Sequence, residues 1–431
     1  MNTPYRPGVQ VAQAPSTPAL PPRWFGTAMI ALFALVLPVG YFGNEGEAIV
    51  AAAGGLISLP FILRLRAPAI GVVLIAALAI WAAATFTWSP LESNLFHVHR
   101  YKDLEALTAP KLLLQALLYP AFVYGALRLP PDQRMTALMI AAATLAAVMG
   151  ILVIEGFEGG KFYGLLNSFG SKQLRPDLAK RDAARGCYTV VLMFWPLALL
   201  MWRKIPVAIP IVIAVALVMS ALMLGVDAPA AAMIVSLIVF AGMRVNARLG
   251  AWLCLFAVAL YFLAAPLVFL PHGHQAADLP ATMGKESWHV RVAIWRFASL
   301  LIAHKPLLGY GLDASRVYPD HIPMHPHDAA LQLWLETGVL GALLNCLFWG
   351  WLFYRIQRIS REDPVWAGMA CATASTYLLI GAISFGVWQE WWLGLGAVAI
   401  ACCLMVLRIR REQPEEPESG ALRPLGRAVI P

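Results

Sequence analysis

Charge is scarce in this chain. Asp, Glu, Lys and Arg make up 13% of its 431 residues, against roughly 25% in a soluble domain. That excludes an ordinary water-soluble globule, and a mean hydropathy of +0.69 agrees. Short segments of alternating polarity are missing too, which excludes a membrane β-barrel. Cysteine is sparse and unpatterned: Cys187, Cys254, Cys346, Cys371, Cys402 and Cys403 all fall within or beside apolar runs. Without zinc-like spacing they read as small apolar fillers, so neither a disulfide framework nor a metal site follows. No cofactor is expected. The leading residues 1–23 show no cleavable signal pattern and read as a polar, Pro-rich tail. A net charge of +8 does not point to nucleic acid, because most cations flank apolar runs, where they set topology.

What is present is a series of twelve apolar runs, at 24–42, 48–63, 67–87, 112–127, 135–154, 187–202, 205–224, 228–243, 251–269, 329–353, 365–385 and 391–407. Runs of this length cross a hydrocarbon layer of ~30 Å as helices. The fold class is therefore an all-α integral membrane protein with about twelve transmembrane helices. An even count puts both termini on one side. With that side cytoplasmic, the short inner junctions carry Arg64/Arg66, Arg128/Arg134, Arg203/Lys204, Arg244/Arg248, Arg355/Arg358/Arg361 and Arg408/Arg410/Arg411. The short outer turns then carry Glu45/Glu47, Asp227 and Glu390 and no cation, as the positive-inside rule requires. A polytopic domain over residues 24–411 thus sits between cytoplasmic tails at 1–23 and 412–431.

Three longer outer loops remain, at 89–111, 155–186 and 270–328. Their cations are not explained by topology. His97, His99, Arg100 and Lys102 of the first loop point to no particular role. In the second, Arg175, Lys180, Arg181 and Arg185 gather within eleven residues. Arg185 precedes a helix that starts on the outside, and a guanidinium at a helix N-terminus suits an anion; the alternative is a snorkelling anchor. In the third loop, Arg291 and Arg296 lie on an amphipathic segment with Trp288, Val292, Trp295 and Ile302, expected along the membrane surface. At ~100° per residue the two guanidiniums point about 140° apart, so one helix face cannot aim both at one ligand. His327 stands at the outer mouth of the tenth run, before Asp328 as N-cap. The helix N-terminus there disfavours imidazolium and leaves a neutral ring able to accept a proton; the alternative is a His that satisfies helix-end donors. Glu336, about two turns further in, is the main ionisable group inside a span, and tying helices together explains it as well as chemistry does. Gly338 and Gly341 permit close packing in a continuous helix. Trp388, Trp391 and Trp392 read as an interfacial belt.

Three segments then stand in order on the outer side: Arg291 to Trp295, the stretch HKPLLGYGL from His304 to Leu312, and HDAALQLWLETGVLG from His327 to Gly341. Together they resemble the O-antigen ligase and O-antigen polymerase superfamily, whose members show Arg-x-x-x-Trp, Pro-Leu-x-Gly-x-Gly, and a His followed by Glu and paired glycines. Asp328 departs from the Asn, Ser or Gln that ligases carry after the His. The resemblance implies a metal-independent, GT-C-like glycosyltransferase in a Gram-negative inner membrane, with its active site facing the periplasm. It implies undecaprenyl diphosphate-linked glycan as donor and lipid A–core as acceptor, with membrane lipids around them. The family's essential His maps to His327, and its loop arginines map to Arg185 and Arg291. Arg175, Lys180, Arg181, Arg296, Asp328 and Gln332 are further candidates for contacting substrate.

Rival readings stay open at this point. An O-antigen polymerase carries Arg-x10-Gly in two outer loops; Arg175 to Gly186 fits, whereas the second loop offers only His327 to Gly338. A protein-directed oligosaccharyltransferase would carry a large extra C-terminal segment. A transporter would show discontinuous spans around a mid-membrane site.

Overall fold

The computed structural model describes residues 21–42, 46–62, 68–91, 107–168, 175–201, 205–270 and 286–412. These residues form helices and turns and no strand. In chain order the helices are α1 (Arg23–Phe42), α2 (Gly46–Ile62), α3 (Ile70–Thr85), α4 (Thr108–Leu127), α5 (Pro131–Glu158), α6 (Lys161–Ser168), α7 (Pro176–Ala183), α8 (Arg185–Met201), α9 (Ala208–Leu224), α10 (Asp227–Val245), α11 (Ala247–Val268), α12 (Glu286–His304), α13 (Ala329–Ile359), α14 (Pro364–Ile383) and α15 (Glu390–Glu412). Among the described residues, ten segments are long and apolar enough to cross a membrane, and two shorter apolar helices, α2 and α9, occupy the remaining predicted runs. The chain is a multi-pass membrane protein. Residues 1–20 and 413–431 of the predicted tails, and His97, His99, Arg100 and Lys102, lie outside the described residues.

α8 is the axis of the bundle. From Gly186 to Leu197 every residue is buried, which marks a helix surrounded by others rather than one facing lipid. Its neighbours are α1, α5, α14 and α15. Because α8 starts at Arg185, the middle of one face of the bundle is a helix N-terminus. The opposite face carries the ion pairs Arg410–Asp363, Arg411–Glu362 and Arg134–Glu412, the last with one guanidinium nitrogen donating to both carboxylate oxygens. These use the cations that the topology argument assigns to the inner junctions.

Glu336 stands inside a helix as the sequence indicates, and burial of charge extends to helix ends: Glu47, Arg134 and Glu155 are buried there as well. Each has a partner that offsets desolvation: Glu47 accepts from the Thr189 hydroxyl, and Glu155 from the Tyr41 hydroxyl and the Tyr163 amide. Nor is 155–186 a plain loop, since α5 runs to Glu158 and α6 and α7 follow. Trp388, Trp391 and Trp392 are buried, with Trp392 stacked on Tyr377 at 4.7 Å. They fill the packing between α14 and α15 rather than forming a lipid-facing belt.

α13 is broken, contrary to the continuous helix expected. Gly338 has φ 64° and ψ −165°, and the freed backbone groups are taken up by residues 306–311 and α3. The Tyr310 and Gly311 amides donate to the carbonyls of Leu335 and Glu336 at 2.7 and 2.9 Å, and Val339 donates to Pro306 at 2.9 Å. The Trp81 indole donates to Thr337 at 2.9 Å. Gly309, at φ 66°, allows this contact, since a Cβ there would stand 2.7 Å from the Gly338 amide nitrogen. The break is filled by the chain's own backbone, so it is not the open ion-binding discontinuity of a transporter.

Beyond the break, Val339–Ile359 is about 31 Å long at 1.5 Å per residue, enough to cross hydrocarbon alone. The outer half, Ala329–Thr337, instead lies along the turn between α14 and α15. His327, Gln332 and Glu336 bond in succession to Ser384, Val387 and Trp388. α12 runs beside this outer half, from Trp295 at Pro326 to its end near Pro306.

Gly338→Ala would set a Cβ 2.2 Å from the Leu307 carbonyl oxygen at positive φ. The expected result is a loss of about 2 kcal/mol or more, read as a lowered thermal midpoint in detergent. Gly350→Ala, with open space around its Cβ position, serves as the unchanged control.

Candidate active site

Glu336 fixes the site's floor. Its carboxylate is fully buried and accepts four hydrogen bonds: from the Asp313 amide at 3.1 Å, Ser315 hydroxyl at 2.7 Å, Gln332 amide at 3.2 Å and Trp388 indole at 2.6 Å. Four donors from three segments satisfy its two oxygens. The role is architectural, one of the two that sequence left open. Gln332 belongs to the same knot. Its amide donates to Glu336 and accepts from Val387 at 2.9 Å, so both ends are used within the protein.

His327 sits above this knot, half-buried, with φ 56°. Its Nδ1 lies 2.8 Å from the Ser384 carbonyl oxygen. A carbonyl can only accept, so Nδ1 carries the proton and Nε2 keeps a free lone pair. Burial holds the His327 pKa below its ordinary 6.5, opposed by the Ser384 carbonyl and reinforced by the charge of Arg291. The ring is therefore neutral at pH 7, as its place at a helix N-terminus predicts.

Arg291 reaches this neighbourhood through Trp295. The Trp295 indole donates to the Pro326 carbonyl at 2.9 Å, and its ring packs on Phe269 at 4.9 Å. That anchors α12 to the residue before His327. Arg291, one turn earlier, stacks over Trp288 at 5.1 Å, and its charge acts on both His325 and His327. The Arg-x-x-x-Trp spacing thus has a physical reason: the indole docks the helix beside Pro326, and the guanidinium one turn away stands close enough for its charge to act on the imidazoles. Arg296 lies off the buried face of α12, which is formed by Ile294, Trp295, Ala298, Ser299 and Ile302.

Arg185 approaches from α8. Its Nε is 4.0 Å from Asp182 Oδ1. One turn on, the Tyr188 hydroxyl is 3.2 Å from the Ser384 hydroxyl, so a single residue, Ser384, separates the N-terminal turn of α8 from the His327 ring. The remaining predicted cations sit further along. Arg175 pairs with Asp177 at 2.6 Å and is exposed, Arg181 pairs with Asp182 at 3.2 Å, and Lys180 is partly exposed in the last turn of α7. The exposed Arg175–Asp177 pair contributes little, whereas in the second pair Asp182 is buried.

Asp328 caps α13, accepting from the Leu331 amide at 2.9 Å and the Tyr261 hydroxyl at 3.1 Å. It is buried, so it supports the helix from within. Burial pushes its carboxyl up to about 7.

Three contributors escape a sequence reading. Arg316, paired with Asp313 at 3.4 Å, adds a second positive charge felt by His325. Tyr188 and Ser384 connect α8 to His327. None falls in a recognisable motif; the usable signals are Asp313 and His327, the two non-glycine residues at positive φ among the described ones, and neither is visible without coordinates.

Comparison with known proteins bears on the same region. Residues 211–346 match the family model described as O-antigen ligase. A Rickettsia conorii protein provisionally named a polysaccharide ligase is 34% identical over 122 residues, covering 25% of this chain and 29% of the relative. A similarly named Rickettsia felis protein is 33% identical over 121 residues, with the same two coverages. One from Rickettsia typhi is 35% identical over 120 residues, covering 24% and 28%. The chain thus spans less than a third of the length of the curated relatives it matches. The family match contains Arg291, the 306–311 element and His327; Arg185 lies outside it.

The Asp328 carboxyl has a pH signature. A folded-state value near 7 against an ordinary 3.8 means that the folded chain binds a proton the unfolded chain lacks between those values. Stability therefore falls as pH rises from about 4 to 7, by at most about 1.4 kcal/mol per unit. Asp328→Asn keeps the cap and the Tyr261 contact without the charge. Its thermal midpoint is expected above that of the unsubstituted chain at pH 8 and level with it near pH 4.

Proposed function

We propose that this chain, a member of the O-antigen ligase family by its residues 211–346, transfers a glycan from undecaprenyl diphosphate to a sugar hydroxyl of lipid A–core. The observation that carries this reading is the convergence of three elements on one face of the bundle. His327 with a free Nε2 and Tyr188, one turn beyond Arg185 in α8, both contact Ser384, and the charge of Arg291 of α12 is felt at His327.

In this reaction Nε2 of His327 takes the proton of the acceptor hydroxyl. The oxygen attacks the anomeric carbon as that carbon's bond to the diphosphate oxygen breaks, and undecaprenyl diphosphate leaves with the electron pair. Arg291 and Arg185 bind the diphosphate and stabilise the charge growing on it. Arg175, Lys180, Arg181 and Arg296 lie near enough in sequence to extend this cationic surface toward phosphate or lipid headgroups. Guanidinium charge takes the role a metal ion fills in other transferases, and the architecture is GT-C-like. The positive-inside pattern supports a site on the periplasmic face of an inner membrane.

The test is transfer in vitro by purified protein from undecaprenyl diphosphate-linked glycan to rough lipopolysaccharide. Unsubstituted protein is expected to form product with or without EDTA, and His327→Ala to lose about 10³-fold or more. Arg291→Lys is expected to lose activity almost as far as Arg291→Ala, because an ammonium cannot reproduce the planar fork. Joining of glycan units without lipid A–core would replace this reading with a polymerase. Absence of any transfer would end it.

The pH profile follows from the lowered His327 value. The neutral form is the active one, so kcat/KM should be flat above about pH 7 and fall on acidification, with its midpoint below the ordinary imidazole value of about 6.5. A rate that rises on acidification would exclude His327 as the base.

A further inference from the structure

We propose that His325 is a positioning residue that holds His327 in its reactive orientation, with Gln389 fixing His325 in turn. The inference rests on the transfer reaction proposed above. His327 adopts φ 56°, a left-handed conformation rare for a residue with a Cβ, and such a conformation persists only where its surroundings enforce it. The enforcing contact is visible. The His327 amide donates to Nδ1 of His325 at 3.1 Å, and the two rings stand 4.2 Å apart. Pro326 between them is tied through its carbonyl to Trp295.

His325 is itself enclosed. It is 9% exposed and lies against the α14–α15 turn, where a Cβ on Gly386 would meet its ring at 3.1 Å. With Nδ1 accepting, Nε2 carries the proton. That N–H faces the Gln389 side-chain amide at 3.2 Å, whose oxygen has no other hydrogen-bond partner; turning that oxygen toward the imidazole satisfies both groups. Burial takes the His325 pKa down to about 3, so the ring stays an acceptor across the working range. The groups around it are His327, Arg291, Arg316 and Gln389. His327 is thus restrained at two points, its ring by the Ser384 carbonyl and its backbone by His325, and together these aim Nε2. His325 itself offers no free nitrogen to a substrate.

The test uses the full chain with undecaprenyl diphosphate-linked glycan and lipid A–core, comparing His325→Ala, His325→Asn and His325→Gln. The Asn carbonyl oxygen occupies the place of Nδ1, whereas that of Gln reaches only the place of Nε2. His325→Ala is expected to lower kcat by about 30- to 100-fold, the scale of a displaced catalytic group, with KM for both substrates little changed. His325→Asn should recover to within about fivefold of unsubstituted protein, and His325→Gln should not recover. A His325→Ala rate close to that of the unsubstituted chain would overturn the proposal. So would a folded His325→Asn no better than His325→Ala. If the Ala variant fails to fold, the Asn and Gln pair decides alone. If the unsubstituted chain transfers nothing, the function proposed above fails by itself. The positioning is then read from the rate at which diethyl pyrocarbonate modifies His327, followed by mass spectrometry. That rate should be unchanged in His325→Asn and altered in His325→Gln, and equal rates in both would refute it.

Discussion

A carboxylate without water decides how the outer face is built. Glu336 is enclosed, and its oxygens need several donors there. It draws them from the 313–315 turn, from its own helix and from the α14–α15 turn. No single helix could supply that set. Meeting it requires the chain between α12 and α13 to fold back against α13, and that return is possible only where Gly309 and Gly338 let two backbones touch. The position of His327 follows, because it immediately precedes the outer half of α13, which is pinned along its length.

The same economy governs the cations. Trp295 contributes nothing chemical, but its indole on the Pro326 carbonyl sets where Arg291 stands. Ser384 similarly serves two helices, offering its hydroxyl to Tyr188 and its carbonyl to His327. The site is therefore assembled from the ends of α8, α13 and α14 and from one side of α12. The three helix ends are places where helical backbone groups are left over.

Much of this was legible in the sequence. Apolar runs gave the helices because crossing hydrocarbon imposes a length and a composition, and the runs that became α2 and α9 were found despite being short. His327, Arg291 and Arg185 stand out as an imidazole and cations in long outer loops, where the charge rule does not account for them. What stayed hidden depends on contacts distant in sequence. The break at Gly338 looked like helix packing, because a glycine's φ cannot be read from its neighbours. Glu47 and Glu155 looked like turn residues, since their partners Thr189 and Tyr41 lie more than a hundred positions away. Trp388, Trp391 and Trp392 carried the composition of a lipid belt and turned out to be interior. His325 gave no signal of its own, because a histidine that supports another looks the same in sequence as one that does nothing.

The interruption at Gly338 also separates two mechanical duties. A continuous helix of 31 residues would act as a lever, carrying every tilt of its lipid-embedded portion to its tip. Bilayers differ in thickness, and spanning helices answer by leaning. Here the leaning portion ends at a residue whose two dihedrals lie outside the helical ladder, while the tip is fastened to a different part of the bundle. The imidazole is thereby insulated from the thickness of the surrounding lipid.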